Sequence, residues 1–293
     1  MPELPEVESS VNFLKRKVLK RTFVDIWRGV SKMGVCKGSL NKKFEKELTG
    51  RKIKRVKRRA KNIIFDLDDN FSLLVHYKMT GHLLYGRWKR DGDEWVAERE
   101  GPLKEDKMNR YIRFLFFLSN GKQIAFSDLR KFGKIELWKS KELEKKLSQL
   151  GPEPLENDFT LDKFKKMVSN RKKMIKPLVM DQHFLAGIGN IYASDALWIA
   201  KIHPKTKAVE LTKKEVKQLY KAIKSVLKEG IENCGDSMVD FRLPDGTKGN
   251  YQNKQKVYNR EGEVCNRCEK EKIKKIKVSG RGTYFCPHCQ EKK

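Results

Sequence analysis

No stretch of this 293-residue sequence stays apolar for the length of a membrane span, which excludes a chain threaded through a bilayer by helices. The opening MPELPEVESS lacks both a basic n-region and an apolar h-region, so no secretory leader is expected. The expected compartment is the cytoplasm, with nucleoid association in a bacterium. Cysteine is scarce, at six residues. Four of them form two Cys-x-x-Cys pairs near the C-terminus, which excludes a secreted disulfide framework. Cys36 and Cys234 stand alone and are expected to be small buried thiols. Acid is also in deficit: 38 Asp and Glu face 66 Lys and Arg, a formal net charge of +28. A Lys-rich surface of the thermophile kind adds Glu alongside Lys. Here the acids do not keep pace, so a polyanionic partner such as nucleic acid accounts better for the self-repulsion. Internal repeats are absent too.

A chain of this length buries a real core and forms one large or two ordinary domains. Val7, Val11, Leu14 and Val18 recur at helical spacing, and Pro5 suits the first turn. The extreme N-terminus therefore sits just before a helix start, where oriented N–H groups favour anions. Residues 22–138 read mainly as strands, among them Asn62–Leu67, Phe71–Tyr77, Tyr111–Leu118 and Gln123–Phe126. Asn120-Gly121 predicts a type I′ hairpin. The charged, Gly-containing stretch 86–109 predicts a long loop. Residues 139–158 read as a short helix followed by a Gly/Pro linker, and helical patterns follow. Thr160 caps a helix carrying Phe164, Met167 and Val168. A second covers Met174–Met180, and Ala186-Gly187-Ile188-Gly189-Asn190 opens a third. Thr212 and Glu215 form a capping box for a fourth, with Val216, Leu219, Tyr220, Ile223 and Leu227 on one face. The class is α+β, divided as a domain over 1–140, a linker over 141–158, a helical domain with a polar loop over 159–256, and a metal module over 257–293.

Four local patterns carry chemistry. Cys265-x2-Cys268 and Cys286-x2-Cys289 put two thiolate pairs on two turns, a tetrahedral set suited to one structural Zn²⁺. His288 lies between two of these ligands as an alternative. The basic segment between the pairs ends in Gly280-Arg281-Gly282, where flanking glycines let Arg281 approach a phosphate or sugar closely. In the basic run from Lys42 to Lys61, Lys61 stands out at the mouth of a buried strand. Gly187-Ile188-Gly189-Asn190 before a helix, close to Arg171, Lys172, Lys173 and Lys176, reads as a phosphate cradle. At the start, small Pro2 favours removal of Met1. A free Pro is a secondary amine whose attack on a sugar C1′ yields a cationic iminium, which promotes β-elimination. Glu3 and Glu6 are placed to exchange protons nearby. For Glu6, helix capping is the alternative reading, and it could hold alongside a role in the site.

In order along the chain stand MPELPEVE, Arg58-Arg59-Ala60-Lys61, His76-x-x-Met79-Thr80-Gly81 and Asp128-Leu129-Arg130-Lys131-Phe132-Gly133. Gly151-Pro152-Glu153-Pro154-Leu155, Gly187-Ile188-Gly189-Asn190-Ile191-Tyr192-Ala193-Ser194 and the four-cysteine finger follow. This series resembles the formamidopyrimidine-DNA glycosylases over essentially the whole length. The resemblance implies an N-terminal β-sandwich with flanking helices, a helix–two-turn–helix domain, a zinc finger, and duplex DNA in a basic cleft. It implies a monomeric glycosylase/AP lyase that excises oxidised purines, 8-oxoguanine and formamidopyrimidines, in base excision repair. Pro2 would be the Schiff-base nucleophile, Glu3 the acid assisting ring opening, Lys61 the proton donor in β-elimination, and Arg281 the residue serving δ-elimination. Met79, Arg130 and Phe132 resemble a wedge filling the gap left by the extruded lesion. His76, Lys172, Lys176 and Asn190 resemble DNA-backbone contacts. Residues 235–250 resemble the loop that closes over the oxidised base, with a sequence of their own. Tyr111 stands where the family often has His, and can still donate to a phosphate; Asn259 stands where Gly is expected. Two rivals remain: an endonuclease VIII-like enzyme for oxidised pyrimidines, and a DNA-binding protein without the chemistry.

Overall fold

A computed structural model describes residues 1–29 and 43–292; Cys36 and Lys42 lie outside the described residues. The chain separates into two compact units: Met1–Ser148 with Asn233–Gln252, and Gln149–Glu232 with Asn253–Lys293.

The first unit runs α1 (Leu4–Val18), β1 (Phe23–Arg28), α2 (Lys43–Leu48), β2 (Ile53–Arg59), β3 (Asn62–Leu67) and β4 (Phe71–His76). It continues with β5 (His82–Gly86), β6 (Trp88–Asp91), β7 (Glu94–Ala97), α3 (Pro102–Glu105), β8 (Ile112–Leu118), β9 (Gln123–Ser127), β10 (Lys134–Lys139) and α4 (Ser140–Leu147). Two antiparallel four-stranded sheets form, in the orders β1-β8-β9-β5 and β10-β4-β3-β2. Alternate residues of both sheets point inward and bury Phe23, Phe114, Phe116, Phe126, Phe65, Leu73, Val75 and Ile135 with Val7, Val11, Leu14 and Val18 of α1. Each such side chain contributes roughly 1.5–3 kcal/mol of transfer free energy. Period-2 alternation in the strands and period-3.6 spacing in α1 thus meet in one sandwich core.

Several expectations are corrected. The hairpin at Asn120-Gly121 exists, but Gly121 alone takes a positive φ (70°), and its N–H donates to the Leu118 carbonyl at 3.0 Å. Leu118 in turn pairs with Lys122 at 2.9 Å, so the loop has three residues and ends in a left-handed glycine. A type I′ turn needs positive φ at both central residues. Ser119 opens this turn and also exchanges hydrogen bonds with Thr22, which shifts the turn one residue back from Asn120-Gly121.

Residues 86–109 are not a loop but a β6–β7 ribbon followed by α3 and a 3-10 turn at Lys107–Arg110. Trp88 and Ala97 are buried with Leu84, Leu115 and Ala125 on the outer face of the first sheet, beside half-buried Trp27, Trp95 and Phe117. The alternation Trp88, Arg90 and Trp95, Ala97 around Gly92 (φ 57°) is the sequence signal for this ribbon.

The segment expected as one helical domain over 159–256 is split, because Asn233–Gln252 returns to the first unit. Phe241 is buried in the sandwich core. The Tyr85 N–H donates to the Pro244 carbonyl at 2.6 Å, and Arg242 pairs with Asp106 at 2.6 Å. Cys234, expected buried, is exposed. It occupies a left-handed turn (φ 58°) in which its carbonyl, not its thiol, packs against Gly249.

The second unit holds α5 (Leu161–Val168), α6 (Ile175–Val179), α7 (Asn190–Ile199), α8 (Lys213–Glu232), β11 (Lys274–Val278) and β12 (Arg281–Phe285). The expected linker is part of it from Gln149 onward. The Gly151 N–H donates to the Gln182 carbonyl at 2.9 Å, and a Cβ on Gly151 would lie 2.6 Å from the Phe184 backbone. Thr160 caps α5 through the Lys163 N–H, and Thr212 with Glu215 caps α8. Phe159, Phe164 and Tyr220 pack edge-on or tilted between α5 and α8, with centroids 5.4 to 6.1 Å apart. Every residue from Ile191 to Trp198 is buried, so α7 is the unit's central helix. Among the described residues, no helix is long and apolar enough to cross a membrane.

Candidate active site

In the first unit, Pro2 and Glu3 are buried ahead of α1, while Met1 is exposed. Glu3 is the N-cap, and its N–H donates to Glu6 Oε2 at 2.6 Å in a capping box. Glu6 Oε1 accepts the Asp236 N–H at 2.7 Å. A side chain on Gly235 would lie 2.8 Å from Glu6. Both carboxylate oxygens of Glu6 are therefore engaged by backbone donors. This geometry suits an anchor for the N-terminus and the 233–252 segment.

Lys61 follows Ala60 (φ 52°) in the tight turn between β2 and β3, which pairs Arg59 with Asn62, and it is buried. The half-buried His76 ends β4; its Nδ1 accepts the Lys78 N–H at 2.9 Å. Burial first, then the charges of Lys78, Lys61 and Lys134, lower its pKa to about 3. The ring is neutral at physiological pH, with its proton on Nε2 as a donor.

Two turns carry the wedge candidates. Met79 is 37% and Phe132 52% exposed, so neither belongs to the core. The guanidinium of exposed Arg130 lies 4.6 Å from the Phe132 ring centroid. A fully buried Asp128 joins the turns. Its Oδ1 accepts the Thr80 hydroxyl and its Oδ2 the Gly133 N–H at 2.8 Å, while Thr80 Oγ1 accepts the Arg130 N–H at 3.0 Å. The Asp128 N–H donates to the carbonyl of half-buried Tyr111 at 2.9 Å. Gly81 and Gly133 both press on the Phe126 ring, leaving no space for a Cβ. Sequence reasoning missed Asp128 and Thr80 as organisers, although both sit inside the motifs it singled out.

In the second unit, exposed Lys172 lines an open basic concavity with Lys163, Arg171, Lys173 and His183. Lys176 is different: it is 1% exposed. Its ammonium donates to Asn190 Oδ1 at 2.7 Å and Thr283 Oγ1 at 2.8 Å, and Asn190 Nδ2 donates to the Gly282 carbonyl at 3.0 Å. The buried cation thus ties the N-terminus of α7 to the strand bearing exposed Arg281, in place of the direct backbone contact expected of it. Ser279 (φ 46°) and Gly280 (φ 79°) make the tight turn that presents Arg281 at the ribbon tip.

The sulfurs of Cys265, Cys268, Cys286 and Cys289 all lie within 4.8 Å of one another. The Cys265–Cys289 and Cys268–Cys286 separations are 3.9 and 3.7 Å, close to the ~3.8 Å edge of a tetrahedron with Zn–S bonds of ~2.3 Å and far beyond a disulfide's ~2.05 Å. The four thiolates fit one structural Zn²⁺, and His288 is exposed outside the set. The finger is fastened to its unit by Gln290, which donates to the Ile202 carbonyl at 2.8 Å, and by Arg267, stacked 3.7 Å from the Trp198 ring centroid.

Family models match in three places: the formamidopyrimidine-DNA glycosylase N-terminal domain over residues 1–135, its H2TH domain over 150–242, and the zinc finger found in FPG and IleRS over 262–292. A formamidopyrimidine-DNA glycosylase of Pelotomaculum thermopropionicum is 42% identical over the full length of both chains. One of Chloroflexus aurantiacus is 39% identical, covering 99% of this chain and 98% of that one. Among solved structures, the complex of Lactococcus lactis FPG with DNA containing Fapy-dG superposes with a TM-score of 0.84 at 34% identity, covering 99% of this chain and 100% of that one. The complex of Lactococcus lactis Fpg with abasic-site DNA gives a TM-score of 0.85 at 33% identity, with the same coverage. Matched in both units and in the finger, the chain belongs to the formamidopyrimidine-DNA glycosylase family.

Proposed function

We propose that this chain is a bifunctional DNA glycosylase/AP lyase that excises oxidised purines from duplex DNA in base excision repair. The observation that carries this reading is the arrangement at the N-terminus. Pro2 and Glu3 are buried, and the backbone of Glu3 is fixed by Glu6. Once Met1 is removed, the Pro2 nitrogen becomes a secondary amine at a helix start.

Its lone pair attacks C1′ of the extruded nucleotide. The C1′–N bond to the base breaks, and the base leaves with a proton. Glu3 assists opening of the sugar ring, which leaves an iminium on Pro2. Lys61, at its tight turn, serves proton transfer in the β-elimination that follows, and Arg281 serves the second elimination. The exposed Met79, Arg130 and Phe132 fill the vacated stack, offsetting an unstacking cost of a few kcal/mol. Neutral His76, Lys172 and Asn190 hold phosphates, and Lys176 acts through Asn190 and Thr283. The Zn²⁺ supplies folding energy to the finger that presents Arg281. The chain works as a monomer, and the net charge of +28 makes binding fall steeply with salt.

The test compares base release from duplexes carrying 8-oxoguanine, thymine glycol or no lesion. Release from 8-oxoguanine well above the other two is expected. Release from thymine glycol alone would move the enzyme to the pyrimidine branch.

A further inference from the structure

A chain of buried polar contacts in the first unit runs from the 233–252 segment to the wedge turns, and the reaction as described does not use it. Arg242, 5% exposed, bonds Asp106 through Nε and the Val239 and Phe241 carbonyls through Nη1, at 3.3 and 2.8 Å. Asp106 caps the 3-10 turn that holds Asn109. Asn109 is 1% exposed; its amide donates to the Pro102 carbonyl at 2.7 Å and the Gly246 carbonyl at 3.2 Å. That orientation leaves Asn109 Oδ1 to accept from His82 Nε2 at 3.1 Å. His82, also 1% exposed, uses the single proton of its neutral ring for this bond, and its backbone joins through Gly81, which presses on the Phe126 ring, to Thr80, the residue held by Asp128 between Met79 and Arg130.

A buried polar network whose members are mutually satisfied holds them in one geometry, and removing one member leaves the others unpaired. Gly246 (φ 87°) has no space for a Cβ, with Leu103 N at 2.7 Å and Asn109 Nδ2 at 2.9 Å, so the segment seats in one way. Its base is fixed while Met238 and Val239 stay exposed at its tip, at 39% and 65%. We propose that His82 and Asn109 are positioning residues that couple the 233–252 segment to the Met79 and Arg130–Phe132 turns. Engagement of an extruded base by the segment tip and filling of the vacated stack then proceed together. This rests on the glycosylase reading above.

The test reads two rates, under single-turnover conditions, in the full-length protein. One is release of 8-oxoguanine, which presents a base to the segment. The other is Schiff-base trapping on a preformed abasic site, which presents none. In His82→Leu and in the milder Arg242→Lys, base release falls about tenfold with little change in the enzyme concentration that half-saturates the single-turnover rate, the scale of loss from sub-ångström misplacement. Abasic trapping changes less than about twofold, because no base is there to be engaged. His82→Gln, which keeps a donor toward Asn109, restores most of the loss. Equal losses in both rates, or no loss in either, overturn the coupling. Absence of both reactions in the unmodified protein overturns the glycosylase reading itself, a distinguishable result.

Discussion

Asp128 and Thr80 are bonded side chain to side chain at the junction of the two turns that expose Met79 and Phe132. Asp128 is fully buried and accepts from both turns at once. Asp128→Ala leaves the Thr80 hydroxyl and the Gly133 N–H without an acceptor, at about 1–3 kcal/mol for each group. Urea unfolding should show a lower midpoint with an unchanged slope. A variant as stable as the parent would remove Asp128 as the organiser of these turns.

Acid should destabilise the fold through two histidines. Burial holds His82 down to about 4, and burial with neighbouring lysines holds His76 to about 3, from 6.5. Between the folded and unfolded values the unfolded chain binds more protons, so stability rises with pH through that window. Stability from this source is complete above pH 6.5 and is lost progressively as pH falls toward 4 for His82 and 3 for His76. For fully buried His82 the loss is on the order of 3 kcal/mol. Thermal unfolding from pH 7 to 4 should show this decline, and His82→Gln should flatten part of it. A profile unchanged by that substitution would mean His82 is not held neutral.

Lys176 is a buried cation whose two named partners are Asn190 and Thr283. Lys176→Met keeps its length and removes the charge and both hydrogen bonds. The expected cost is about 1–3 kcal/mol in stability, with weaker DNA binding although the ammonium is hidden. A Kd for abasic duplex equal to the parent's would contradict the tie between α7 and the Arg281 strand.

Cys268→Ser removes one of four ligands to the finger. Zinc content should fall from one per chain toward zero, and the Arg281 ribbon should become protease-sensitive while the rest of the chain resists. Full zinc content in the variant would contradict the four-cysteine assignment.

Much of this fold is legible in the chain because its signals are local and periodic. The α1 spacing, the strands flanking Asn120-Gly121, the caps at Thr160 and Thr212, and the paired cysteines each depend on neighbours within a turn or two. What escapes local reading depends on partners far along the chain. The Trp88–Ala97 ribbon looks charged until its alternation is set against the sheet face that its tryptophans cover. Phe241, Arg242 and Pro244 bind the 233–252 segment to residues 85 and 106 and to the sandwich core, which no periodicity announces. For the site, motif order marks the residues that resemble known chemistry. The supports, Asp128, Asn109 and His82, are ordinary residue types whose weight comes from burial and mutual orientation.

The central claim is that the Pro2 nitrogen reacts, and borohydride trapping on abasic-site DNA tests it most directly. Protein with Met1 removed, verified by intact mass, should give one covalent adduct per chain, located at residue 2 by peptide mapping. Protein retaining Met1 should give none, since its Pro2 nitrogen is an amide. An adduct of equal yield on a lysine, or on chains that still carry Met1, would contradict the account.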